Sequence, residues 1–139
     1  MLAACDGSLL SPSEERALVE ARANWEAAGF RSYVFEYRRV CFCEGAEWMR
    51  ITVTDDAVTE VVYADSADVE HPAPEQWPTV DELLSRLETL QAEGSDVVAE
   101  LDVTFDPGFG YPAYYSIETT RNVADGGATH WIRSLAPLP

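Results

Sequence analysis

Cys41 and Cys43 are the two side chains whose type and spacing could do chemistry. They close the run Y-V-F-E-Y-R-R-V-C-F-C, in which Tyr33, Phe35, Tyr37, Arg39, Cys41 and Cys43 recur at every second place. Period-two spacing puts all six on one face of a β-strand. In a regular strand the two Cα atoms stand about 6.5–7 Å apart, from a rise of roughly 3.3 Å per residue. That is the outer limit for a disulfide, about 4.4–6.8 Å. A bridge here needs a bulge or bend, carries strain and is the easier to reduce. Three readings stay open: a structural disulfide that pins the strand end, two buried thiols packed as small hydrophobes, and a redox couple. No metal site is expected. The chain holds two histidines, His71 and His130, and two thiolates without an evident third and fourth ligand make no zinc site.

Arg39 shares its face with Tyr37 and Cys41. A charge there has to be paired, stacked on an aromatic ring or placed at a sheet end. A salt bridge to one of the 25 acids is the expected state, and an anchor for an anionic ligand is the sharper reading. Asp106-Pro-Gly-Phe-Gly-Tyr-Pro112 is a rigid turn that carries Phe109 and Tyr111. It is structural if Tyr111 packs on the sheet, and a recognition loop if Phe109 and Tyr111 face a ligand. Asp102, Asp106 and Asp125 lack the spacing of a calcium loop. No Gly-x-Ser-x-Gly, His-Glu-x-x-His, phosphate loop or dinucleotide fingerprint occurs, so neither catalytic residues nor a cofactor are expected. His71, before a proline, reads as solvated, and His130, beside Trp131, as a surface strand residue.

The elements that must position these residues follow from local signals. Ser11-Pro12-Ser13-Glu14 is a capping box with proline at the first helical place. Leu18, Ala21, Trp25 and Ala28 then recur at helical spacing up to Gly29. Strands are expected over about 32–41, 47–54 and 57–64, the last two joined by an Asp55-Asp56 hairpin turn. Residues 65–78, with three prolines and several acids, read as a linker. Thr79-Val80-Asp81-Glu82 opens a second helix lined by Leu83, Leu84, Leu87 and Leu90, with Gly94 at its end. Strands follow over about 97–105, 113–120 and 129–135, with Val97, Ala99, Leu101, Val103 and Phe105 facing inward. The expected fold is one α+β domain over 11–139, preceded by a tether at 1–10. Its twisted antiparallel sheet has about six strands and two helices on one face, in the order αβββ-αβββ.

The formal charge of −16, with nine arginines and no lysine, argues against nucleic-acid binding and would repel an anionic membrane surface. Leu2-Ala3-Ala4-Cys5 resembles a bacterial lipobox, in which the cysteine is cleaved and lipidated, and Asp6-Gly7-Ser8 suits a tether. On that reading Cys5 carries a membrane anchor, and export favours oxidation of Cys41 and Cys43.

The series Tyr33-x-Phe35-x-Tyr37-x-Arg39-x-Cys41-Phe42-Cys43, the acidic turn after Ile51, the capped helix at Thr79 to Leu90, Phe105-Asp106, Gly110-Tyr111-Pro112 and Asp125 together resemble the bacterial domain of unknown function 6174 family over roughly residues 25–137. Phe105 stands where that pattern leads one to expect Tyr, and Asp55-Asp56-Ala57 where it leads one to expect an Asp-Gly turn. The resemblance implies an exported protein or lipoprotein and carries no activity. The element order is also similar to β-lactamase-inhibitor-like folds, an analogy of fold alone. The expected function is therefore a non-catalytic, extracytoplasmic module that binds a protein or small ligand. A thiol redox protein and an inhibitor-like interaction domain are the alternatives.

Overall fold

The computed structural model describes residues 9–41, 47–93, 98–119 and 127–139. Helix α1, Pro12–Ala28, starts where the capping box places it. The Glu14 N–H donates to Ser11 Oγ, and the Ser11 N–H donates to the Glu14 carboxylate. Gly29 ends it at φ 65, in the left-handed region that suits glycine. The strands are β1 Tyr33–Cys41, β2 Met49–Thr54, β3 Ala57–Tyr63, β4 Ser66–Glu70, β5 Val98–Phe105, β6 Pro112–Thr119 and β7 Ala128–Pro137, with α2, Val80–Glu93, between β4 and β5. They form one open antiparallel sheet in the order β4-β3-β2-β1-β7-β6-β5. β1 is the hub. It joins the meander β1–β4 to the meander β5–β7.

The sheet thus has seven strands rather than six. The additional one, β4, lies in the stretch expected to be linker. Its acids are tolerated because it is an outer strand, where charge also discourages pairing with other chains. The three prolines all follow it, and Pro74–Gln76 forms a 3-10 turn.

One face of the sheet is the core. Tyr33, Phe35 and Tyr37 of β1, Met49, Ile51 and Val53 of β2, Val61 of β3, Tyr115 of β6 and Ile132 of β7 are buried there with Leu18 and Trp25 of α1 and Leu83, Leu84 and Leu87 of α2. The two helices are tied across their outer surfaces by Arg22, which donates to Glu88, Asp81 and Ser85. In β5 the expected inward alternation fails at the start. A bulge between Val98 and Glu100 turns Val98 into the core.

The opposite face carries a ladder of arginines and rings. Arg133 lies 3.7 Å over the Trp48 ring and Arg38 lies 5.5 Å from that of Trp131. Arg50 and Arg133 both hold Glu36, at 3.0 and 2.9 Å. Burial works to raise the Glu36 carboxyl, but these hydrogen bonds outweigh it and keep it below the usual carboxylate range. No helix among the described residues is long and apolar enough to cross a membrane.

Candidate functional site

A cleft of about 830 Å³ opens at the end of the core where β1 begins. That volume is in the range of small-molecule sites, about 300–1,000 Å³. Its walls come from four elements. α1 supplies Trp25, and Phe30 follows its glycine cap. β1 supplies Tyr33, the β2–β3 hairpin supplies Asp56 to Val58, and the 3-10 turn before α2 supplies Glu75 and Trp77.

Local chemistry holds each wall. Asp55 and Asp56 both adopt positive φ, 50 and 72, the geometry of a tight hairpin turn that Asp tolerates. That turn is strapped to the start of β1. The Asp56 N–H donates to the Arg31 carbonyl at 2.8 Å, the Asp55 N–H to Ser32 Oγ at 3.0 Å, and Arg31 Nε to the Asp56 carboxylate at 2.9 Å. α2 begins with the expected capping box. The Glu82 N–H donates to Thr79 Oγ1, and the Thr79 N–H to Glu82 Oε1. The Val80 N–H donates to the Tyr33 hydroxyl at 2.9 Å, so a cleft tyrosine also caps the helix. Burial pushes Tyr33 up to about 12, against the opposing pull of that N–H.

The rings stand edge to face, Trp25 with Phe30 at 5.9 Å and with Tyr33 at 5.1 Å. Around them the cleft carries five carboxylates, Glu26, Asp56, Glu75, Asp81 and Glu82, against one guanidinium, Arg31. All five are on exposed residues. Aromatic walls under a carboxylate rim attract cations, through ring faces and through Coulomb forces together.

The other end of the β1 stripe has the opposite character. Arg39 pairs in register with His130 of β7, and His130 with Tyr115 of β6, so the three share the core face in one row. His130 is not the surface residue expected: it is 6% exposed. Its ring stacks on Tyr115 at 4.1 Å and 8°, and its Nδ1 shares a 2.7 Å hydrogen bond with the Tyr37 hydroxyl. Burial first, then the charges of Arg39 and Arg86, push His130 down to about 3, so the imidazole is neutral at pH 7. Burial likewise raises Tyr37, to about 12, and Tyr115. Trp77 links the two ends. It lines the cleft and meets Tyr37 edge to face at 6.0 Å. His71, expected to be solvated, packs on Trp77 at 5.3 Å and accepts the Ala73 N–H at Nδ1.

The residues singled out in the sequence are not brought together. Arg39 is exposed at the basic end and, among the described residues, makes no ion pair, so the expected salt bridge is replaced by the row with His130. Phe109 and Tyr111 sit at the far end of β5. Their turn is wound around Asp106, whose carboxylate accepts the N–H groups of Gly108 and Phe109. Gly110, at φ 85, lies so close to α1 that a Cβ would fall 2.2 Å from the Ala21 carbonyl oxygen. Phe109 packs edge-on to Phe30 at 5.0 Å, behind the cleft wall. Cys41 ends β1 half-buried and is the one cysteine among the described residues. The bridge to Cys43, like the lipidation of Cys5, falls outside the described residues. Those residues hold no group of three or more metal-ligating side chains.

Sequence reasoning missed the cleft because its walls are far apart in the chain. The nearest signal was the Trp77-Pro-Thr-Val-Asp-Glu run, an aromatic directly before an acidic helix start.

The model of a family of unknown function, DUF6174, matches residues 17–137, and the chain belongs to that family. No curated protein and no solved structure matches it.

Proposed function

We propose that this domain is a non-catalytic binding module that holds a cationic group, an alkylammonium or guanidinium, in the cleft between α1, the β2–β3 hairpin and the start of α2. The observation that carries this reading is the lining itself: Trp25, Phe30, Tyr33 and Trp77 beneath five carboxylates and one arginine. The rings give a desolvated surface on which a cation gains most from a π-face, about 2 kcal/mol or more when water is excluded. The rim raises the local concentration of cations and steers them in. The module is read as exported and tethered through a lipid on Cys5. The Leu2-Ala3-Ala4-Cys5 series and the Asp6-Gly7-Ser8 that follows it support that placement.

Tryptophan fluorescence tests the binding reading, since Trp25 and Trp77 both line the cleft. Choline and arginine methyl ester should give saturable changes, while the neutral isostere of choline, 3,3-dimethylbutanol, should bind at least about tenfold more weakly. Trp77→Ala should abolish the response. Equal affinity for the charged and neutral probes would overturn the reading. For the tether, the full gene expressed in a bacterium with an alkyne fatty acid should label the wild type and not Cys5→Ala.

A further inference from the structure

At the end of the core away from the cleft, one polar atom is left over. The Tyr115 hydroxyl is buried and has no hydrogen-bond partner among the described residues. An unpaired buried hydroxyl is costly, and native structures rarely keep one without a reason. The ring cannot turn to relieve it, because it lies flat on His130 at 4.1 Å and is fully buried. The neighbouring Tyr37 hydroxyl is already engaged by His130 Nδ1.

Two arginines lie within electrostatic reach of this hydroxyl. Arg39 is the register partner of His130, which in turn is the register partner of Tyr115. Arg86 lies on α2 between Ser85 and the fully buried Leu87. Both act electrostatically on Tyr37, Tyr115 and His130 alike. Both side chains are exposed, and neither makes an ion pair among the described residues. In a chain with 25 acids and nine arginines, two arginines that act on one buried donor and stand outside every ion pair among the described residues are unusual. The imidazole beneath them is held neutral and so does not add a third positive charge.

We propose that Arg39 and Arg86 form an oxyanion site, and that the Tyr115 hydroxyl donates to the bound anion. The guanidiniums supply charge and forked donors that suit carboxylate and phosphate oxygens. The Tyr115 hydroxyl supplies a fixed, desolvated donor behind them. The site uses none of the cleft's lining residues and stands independently of the cation reading.

The test is a titration of the full chain with inorganic phosphate and with acetate at constant ionic strength, following the arginine Nε–Hε signals by NMR. The signals of Arg39 and Arg86 should shift and saturate, while those of Arg16 and Arg31 stay in place. Arg39→Gln and Arg86→Gln should each weaken binding about tenfold or more. Tyr115→Phe should weaken it severalfold while the melting temperature holds or rises, because the orphaned hydroxyl is gone. Tighter binding of phosphate would assign a phosphate-bearing ligand, and tighter binding of acetate a carboxylate. Non-saturating shifts shared by all arginines would overturn the proposal. So would wild-type affinity in the double arginine variant or in Tyr115→Phe.

Discussion

The two ends of one stripe, Tyr33 and Tyr37, use the same side chain in different ways. At the cleft end the Tyr33 hydroxyl accepts the Val80 N–H and fastens α2 to the sheet. At the other end Tyr37 pairs with His130, and the adjacent Tyr115 hydroxyl is paired with nothing described. The surroundings differ in sign as well. Carboxylates ring the first end, while Arg39 and Arg86 act on the second. Burial alone therefore does not define a tyrosine's role. What matters is whether a backbone donor, a side chain or no partner meets its hydroxyl.

The largest expected loss is at the acidic end. Trp25 is buried in the core and also forms a cleft wall. Trp25→Ala should cost about 3–5 kcal/mol in urea unfolding, the range for removing a large buried aromatic, and should eliminate cation binding. A loss under about 1 kcal/mol would mean that the cleft wall is not part of the core.

The basic end should show itself through pH. His130 binds its proton at about 3 in the folded chain and near 6.5 when unfolded. Between those values the unfolded state holds more protons, so stability is full above pH ~6.5 and falls as pH drops below it. The slope approaches about 1.4 kcal/mol per unit and levels off below the folded value. Glu36, whose carboxyl is also held low, adds loss in the same direction at lower pH. Comparing pH 6.5 with pH 5 isolates the histidine, and His130→Gln should flatten the slope there. An equally steep slope in that variant would place the proton uptake elsewhere.

The stripe of Tyr33, Phe35 and Tyr37, the two capping boxes and the Asp55-Asp56 turn were all legible because each is written within a few neighbouring residues. The row Arg39–His130–Tyr115 was not. It depends on pairing β1 with a strand some ninety residues later. The register is set by a bulge at which Ser134, at φ 59, and Leu135 together oppose Phe35. Nothing local to His130 announces this, and beside Trp131 it reads as a surface residue. β4 was hidden by acids that an outer strand accepts and a central one would not.

Smaller effects sharpen the contrast between the hydroxyls. Tyr33→Phe strips the Val80 N–H of its acceptor and should cost about 1–2 kcal/mol. Tyr115→Phe should be neutral or stabilising by up to about 1 kcal/mol. Chemical denaturation of the two variants side by side checks the difference in sign. The smallest effect belongs to the Arg31–Asp56 pair, in which both side chains are largely exposed. Arg31→Gln should leave the urea midpoint essentially unchanged, yet it should tighten cation binding by removing the one positive charge among the described residues of the cleft lining.

The most direct measurement is a two-dimensional amide NMR titration of one labelled sample, first with choline and then with phosphate. The two ends should respond separately. Choline should move Phe30, Asp56, Glu75 and Trp77 in a saturable way, and phosphate should then move Arg39, Arg86 and His130 without reversing the first set. Choline shifts spread evenly over the surface carboxylates, with no saturation at the cleft, would contradict the account.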